Sequence, residues 1–178
     1  MKRNILIAFA ATSLLFSSTQ AFALINFSVG VPLSHTITGK YSDGSEIKSE
    51  GVSGIFIQVG VPMLPGIGMD SYKTKIESDD PFELETMIYN LYYLLPIPII
   101  NLTLGVGTGS TTFKCSGCDA YFDKGSASQW YASFGMPIIP LFDLHLSYRS
   151  VSSKIKIKSG GEHDLSGNIM GLGIGLNF

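Results

Sequence analysis

The chain has 178 residues, of which 15% are charged and 45% hydrophobic, with 20 glycines and 8 prolines. Setting aside Lys2 and Arg3, 10 basic residues face 14 acidic ones, and that balance excludes a nucleic-acid partner. A charged fraction well below the usual quarter, with so much glycine, fits a membrane-embedded sheet better than a water-soluble domain.

The N-terminus carries Lys2 and Arg3, an apolar run from Ile5 to Phe16, a polar stretch from Ser17 to Gln20, and Ala21-Phe22-Ala23. This is the pattern of a secretory signal peptide with an A-x-A cleavage site, so residues 1–23 are expected to be removed and 24–178 to form one domain. The apolar run is about a dozen residues, short of the roughly 20 that a spanning helix needs.

All charges after Arg3 fall in four stretches, 38–50, 70–85, 114–124 and 143–164. The charge-free stretches between them accommodate one, two, two, two and one strands, eight in all. From Ile25, the large residues Ile25, Phe27, Val29, Val31 and Leu33 alternate with Asn26, Ser28, Gly30, Pro32 and Ser34, a period of two. Ile55, Ile57, Val59 and Val61 stand against Gly54, Gln58 and Gly60, with Phe56 breaking the polar row. Segments 68–76 and 87–95 are less regular and their facing is open; Lys73 and Lys75 are expected above the bilayer on a projecting strand. Ile100, Leu102, Leu104 and Val106 oppose Asn101, Thr103, Gly105 and Gly107, and Trp130, Phe134 and Met136 oppose Gln129, Tyr131, Ser133 and Gly135. Met170, Leu172, Ile174, Leu176 and Phe178 oppose Gly171, Gly173, Gly175 and Asn177.

A soluble sandwich would carry Lys, Glu and Thr on its outer face. Here the second face is small or uncharged, which suits a narrow lumen while the bulky face meets lipid. The expected fold is therefore all-β, an eight-stranded antiparallel up-and-down transmembrane β-barrel, closed because hydrocarbon tolerates no unpaired edge. The proline clusters Pro62-Met-Leu-Pro65-Gly66, Pro96-Ile-Pro98 and Pro137-Ile-Ile-Pro140 mark short turns, and the charged stretches mark longer loops. Tyr72, Tyr89, Tyr93, Trp130 and Tyr148 are candidates for the interfacial girdles. A transmembrane helix over Met87 to Gly107 is opposed by Pro96, Pro98, Asn90, Asn101, Gly105 and Gly107.

With apolar residues at every second position back from Phe178, the ending resembles the C-terminal strand that outer-membrane proteins present to the barrel-assembly machinery. Phe178, Leu176 and Ile174 are the candidate assembly signal. The whole 24–178 region is similar to the OmpA-type and OmpW-type group of eight-stranded barrels. That resemblance implies a monomer in the bacterial outer membrane with both termini periplasmic, in contact with outer-membrane lipid and lipopolysaccharide and with the assembly machinery during biogenesis.

Cys115-Ser-Gly-Cys118 is a close pair in an exported chain, read as a loop-tip disulfide rather than a redox or zinc site. Asp143, His145, Ser147 and Arg149 share one face of the seventh strand. The row is either a lumen polar network, with Asp143, His145 and Arg149 pairing with charges from other strands, or a catalytic row with His145 and Ser147 as candidates. His145-x-Ser147 resembles the His-x-Ser of outer-membrane lipid A deacylases, although Tyr148 stands where that family has asparagine. The glycines at 105, 107 and 109 and at 171, 173 and 175 alternate within strands and do not open a helix, so they are not a nucleotide loop.

Lys154, Lys156 and Lys158 form a basic row where the seventh strand leaves the bilayer, either a solvated strand end or a contact for lipopolysaccharide phosphates. The acidic stretch with Asp70, Glu77, Asp79, Asp80, Glu83 and Glu85 lacks a calcium-loop pattern and is read as a solvated loop; no metal and no cofactor are expected. The function anticipated is structural or loop-mediated surface binding, without enzymatic activity. The alternatives are a narrow channel for small solutes or a lipid A-modifying enzyme.

Overall fold

The computed structural model describes residues 25–41, 43–61, 64–78, 82–97, 100–139 and 142–177. The signal segment and Phe178 lie outside them, as do parts of the three proline turns and Asp79 and Asp80. The strands are β1 (Asn26–Ile37), β2 (Ser49–Gly60), β3 (Pro65–Ile76), β4 (Phe82–Ile97), β5 (Ile100–Lys114), β6 (Gly125–Ile139), β7 (Phe142–Lys156), β8 (Glu162–Asp164) and β9 (Gly167–Asn177). A four-residue helix, α1 (Cys118–Tyr121), sits in the loop after β5. The short β8 pairs with the outer end of β7, and β9 pairs with the rest of it, so the two are one barrel strand interrupted at Leu165 and Ser166.

Each strand pairs antiparallel with its sequence neighbour, and β9 also pairs with β1, which closes an eight-stranded up-and-down barrel. A row of directly opposed residues begun at Phe27 passes Val59, Ile67, Leu91, Val106, Trp130, Ser150 and Asn168. It returns to β1 at Thr36, nine residues further on. That stagger tilts the strands by about 35–45° from the barrel axis and fixes a lumen just wide enough for side chains to fill.

The outer surface is a lipid-facing belt. Ile67, Val106, Trp130, Phe134 and Met136 are each more than half exposed, an arrangement that water would penalise and acyl chains accept. Two prolines sit where a strand begins or its pairing is irregular: Pro65 opens β3, and the β6–β7 register shifts between Pro137 and Ile139.

Three expectations about facing are corrected. Tyr72 is 1% exposed and points into the lumen, so only Tyr89, Tyr93, Trp130 and Tyr148 of the girdle candidates face outward. Phe56, the apolar member of the polar row, points inward with that row and has a charged partner described below. Ser34 faces outward because a bulge between Pro32 and Ser34 shifts the phase of β1 and turns His35 inward instead. Asp70, read as part of a solvated stretch, is fully buried in the lumen. Strands β3 and β4 resolve cleanly: Asp70, Tyr72, Thr74 and Ile76 face in beside Leu84, Thr86, Ile88, Asn90 and Tyr92. Lys73 faces outward on the loop side, 3.9 Å from Glu85, which also lies 3.7 Å from Lys114.

Candidate functional site

Inward-facing residues fill the barrel in layers, which are easiest to follow down β7 from the loop end through Ile155, Val151, Arg149, His145 and Asp143. At the loop end Ile37, Ile47, Ile76, Leu84, Phe113, Cys118, Ile155 and Leu165 form an apolar plug, with Tyr41, Phe82 and Phe122 packed on it. Below it Phe56, Tyr72, Ile88, Ala127, Val151 and Ile169 form a second apolar layer. A disulfide joins Cys115 to Cys118 across the turn that precedes α1, and Cys118 packs into the plug.

Beneath these layers lies a buried polar network. Arg149 from β7 donates through Nε to Asp70 Oδ2 at 3.0 Å, and its guanidinium lies 3.8 Å from the Phe56 ring centroid and 4.7 Å from that of Tyr131. Gln129 Nε2 donates to Asp70 Oδ2 at 2.5 Å and to Asn90 Oδ1 at 2.6 Å, while Gln58 Nε2 donates to Tyr131 Oη at 2.8 Å. Both charges are at most 2% exposed, so each depends on the other and on these amides and rings to replace water.

Further toward the turn end, His145 Nε2 is 2.6 Å from Asp143 Oδ1, and Asn101 Nδ2 donates to Asp143 Oδ2. Glycines make room for this group. A Cβ on Gly175 would fall within 2.3 Å of His145 Nε2, and one on Gly135 within 2.6 Å of its Nδ1. The same device holds the large rings: Tyr92 lies against Gly60 and Gly66, and Tyr131 against Gly105.

Asp143, His145 and Arg149 thus face the lumen together but belong to two networks. The partner of Arg149 is Asp70 across the barrel. Asp70, Gln58, Asn90, Gln129 and Tyr131 are the members that the sequence reading did not assign. The usable signal was that the polar row of β7 needs a lumen counter-charge and Asp70 sits in phase with it on β3.

His145 and Ser147 are each 7% exposed inside the barrel wall. Ser147 Oγ donates to the Gly171 carbonyl at 3.3 Å, and His145 Nε2 is turned to Asp143. Neither side chain meets the outer, lipid-facing surface.

The basic row divides. Lys154 and Lys156 point outward from β7, and Lys154 Nζ is 2.9 Å from Glu162 Oε1. Lys158 is exposed in the following turn, with its amide bonded to the Tyr121 carbonyl. On β9, Ile174 faces outward and is 55% exposed. Among the described residues, no cluster of three or more His, Cys, Asp or Glu could hold a metal.

Among solved structures, the fold is similar to Neisserial surface protein A, at 13% identity over 86% of this chain and 96% of that one, with a TM-score of 0.63. The Yersinia pestis outer membrane protein Ail in a phospholipid bilayer nanodisc aligns at 13% identity over 86% and 99% of the two chains, with a TM-score of 0.48. No protein-family model matches the chain. No curated protein matches it. What the chain shares with the first of these structures is the fold of an eight-stranded outer-membrane β-barrel.

Proposed function

We propose that this chain is a non-conducting, non-enzymatic barrel of the bacterial outer membrane, exported by residues 1–23, that presents its four charged loops at the cell surface for structural or binding roles. Both termini and the three short turns face the periplasm, and the assembly machinery engages the final strand through Ile174, Leu176 and Phe178. The observation that carries the reading is the filled lumen: two apolar layers at the loop end sit above a buried ion pair, which leaves solutes no aqueous path. Catalysis at His145 and Ser147 is disfavoured by their position inside that filling, remote from lipid substrates. Specificity then resides in the loops, which a rigid scaffold holds apart.

Lys154 and Lys156 point outward beside the expected headgroup layer, and with Lys158 they supply lipopolysaccharide contacts, each contributing about 1 kcal/mol at most near an anionic surface. Membrane-impermeant maleimide labelling of intact cells tests the orientation, using single cysteines at Ser159 and Leu64 in a background lacking Cys115 and Cys118. Label at 159 but not at 64 is expected; the opposite pattern overturns the arrangement.

A further inference from the structure

The outer wall differs in character from one side of the barrel to the other. On β3 and β4 the belt pair Met69↔Tyr89 is followed by one mixed rung, Ser71↔Met87, and then by charges of both signs: Lys73 opposes Glu85 and Lys75 opposes Glu83. On β6 and β7 an uncharged polar stretch intervenes. Trp130 and Tyr148 lie on the outer face with their rings 5.8 Å apart. Above them the rungs run Trp130↔Ser150, Ser128↔Ser152 and Ser126↔Lys154, and Thr108 and Ser110 of β5 oppose Ser128 and Ser126 on the other side. At about 3.3 Å per residue, Ser150 to Lys154 covers roughly 13 Å of strand.

Positive charge is left over at the top of this column. Lys156 is exposed, and so is Lys124, two residues beyond Ser126 on the adjoining arm. The arms are tied there, because the Asp123 amide donates to the Lys156 carbonyl at 3.0 Å and the Lys158 amide to that of Tyr121 at 2.9 Å. Three carboxylates lie on these segments, Asp123, Glu162 and Asp164. Glu162 is 2.9 Å from Lys154, and Asp164 Oδ1 accepts the Ser166 amide at 2.9 Å. Among the described residues, neither Lys124 nor Lys156 has a carboxylate within ion-pair distance, whereas Lys73 and Lys114 both reach Glu85.

We propose that this column seats a phosphorylated glycolipid of the outer leaflet. Its acyl chains follow the belt below Trp130, its sugar lies against the two rings and the serine hydroxyls, and its phosphate sits by Lys124 and Lys156. Acyl chains offer these hydroxyls neither donor nor acceptor. A sugar offers both, and its C–H face suits the exposed Trp130 ring. A simple phospholipid would match the belt and the lysines but would leave the hydroxyl stretch between them without a partner. The inference deepens the lipopolysaccharide contact proposed above and rests on its placing of the loops at the cell surface. It adds Lys124, Trp130 and Ser128, Ser150 and Ser152 as determinants of the sugar lipid.

Trp130 is the chain's single tryptophan, so its emission reports on the seat directly. The full barrel, refolded in phosphocholine-detergent micelles, is titrated with purified lipid A and separately with phosphatidylglycerol, an anionic lipid without a sugar. Lipid A should change the emission saturably, with an affinity at least about tenfold above that of phosphatidylglycerol. Ser128→Val/Ser150→Val/Ser152→Val keeps the charges and suits a strand, and it should weaken lipid A binding about tenfold while leaving the phosphatidylglycerol response in place. Threonine at the same three positions matches valine in shape, retains the hydroxyls and should preserve lipid A binding. Lys124→Ala should weaken lipid A binding about fivefold at low salt. Equal affinity for the two lipids overturns the proposal, as does full lipid A binding in the valine variant or equal loss in the valine and threonine variants. Loss on replacing Lys154, Lys156 and Lys158 with none in the valine variant keeps the earlier contact and removes the seat; loss in neither removes both.

Discussion

Arg149 lies over the Phe56 ring inside the barrel, the guanidinium carbon 3.8 Å from the ring centroid, and its Nε donates at 3.0 Å to Asp70 at the edge of the cation. Phe56 is the residue that interrupts the polar alternation of β2. Its inward placement converts an apparent patterning error into half of the solvation shell of a buried charge.

Removing one member of this group should therefore cost more than removing two. Arg149→Met leaves Asp70 charged in a site without water and is expected to destabilise the barrel by about 3–5 kcal/mol. Combining it with Asp70→Leu should recover most of that loss, since a neutral apolar filling carries no desolvation cost. Urea unfolding in detergent micelles measures both; a double variant no better than the single would mean that the charges stabilise the lumen on their own account.

Gly105 is expected to resist any side chain. A Cβ there would lie 2.2 Å from Tyr131 Cε1, and the ring is held by Gln58 at 2.8 Å, so it cannot move aside without breaking that bond. Gly105→Ala should cost about 1–3 kcal/mol. Gly51→Ala meets nothing within 4 Å and should stay within about 0.5 kcal/mol of the parent in the same unfolding measurement.

The loop end should loosen in acid. His163 packs against Phe113, Phe122 and Tyr41, and burial lowers its pKa below the ordinary value, with the nearby Asp43 carboxylate opposing that shift. A histidine with a lowered folded-state pKa takes up its proton more readily when the cluster is open. The contribution of the closed cluster is therefore present above about pH 6.5 and declines as pH falls below it. Protease nicking of the loops should rise between about pH 6.5 and 5, and His163→Phe should remove that rise while leaving any general acid effect in place.

The lipopolysaccharide contact is tested at Lys154, Lys156 and Lys158. Their joint replacement by alanine should weaken binding to lipopolysaccharide by roughly tenfold or more at low salt, with less effect as salt screens the charges. Because Lys154 is shared with Glu162, Lys154→Ala alone should do less than Lys156→Ala. Unchanged binding in the triple variant, measured by surface plasmon resonance, removes this contact from the account.

Much of the barrel was legible because lipid and a narrow lumen impose opposite demands on alternate residues. Toward the turn end of β5, β6, β7 and β9 most inner positions are Gly, Ser, Asn, Thr or the polar row of β7 and the outer ones are bulky, so the facing follows directly there. The contrast fades in β3 and β4, because their inner residues near the loop end, Tyr72, Ile76, Leu84 and Ile88, belong to the apolar layers. Hydropathy cannot separate an apolar lumen from an apolar belt. The Asp70–Arg149 pairing depended on register across the barrel, with β3 and β7 far apart in sequence. That the β1–β2 ladder spans only Asn26↔Gly60 to Gly30↔Phe56 depended on backbone pairing, which side-chain patterns do not encode.

The central claim is that inward side chains seal the barrel, and single-channel recording in planar bilayers tests it most directly. The purified, refolded protein is predicted to give no discrete conductance steps in molar salt, and none should appear on reversing the voltage. Stable, ohmic steps that vanish on denaturation would show a continuous aqueous path past the Arg149 layer and the apolar plug, and would contradict the account.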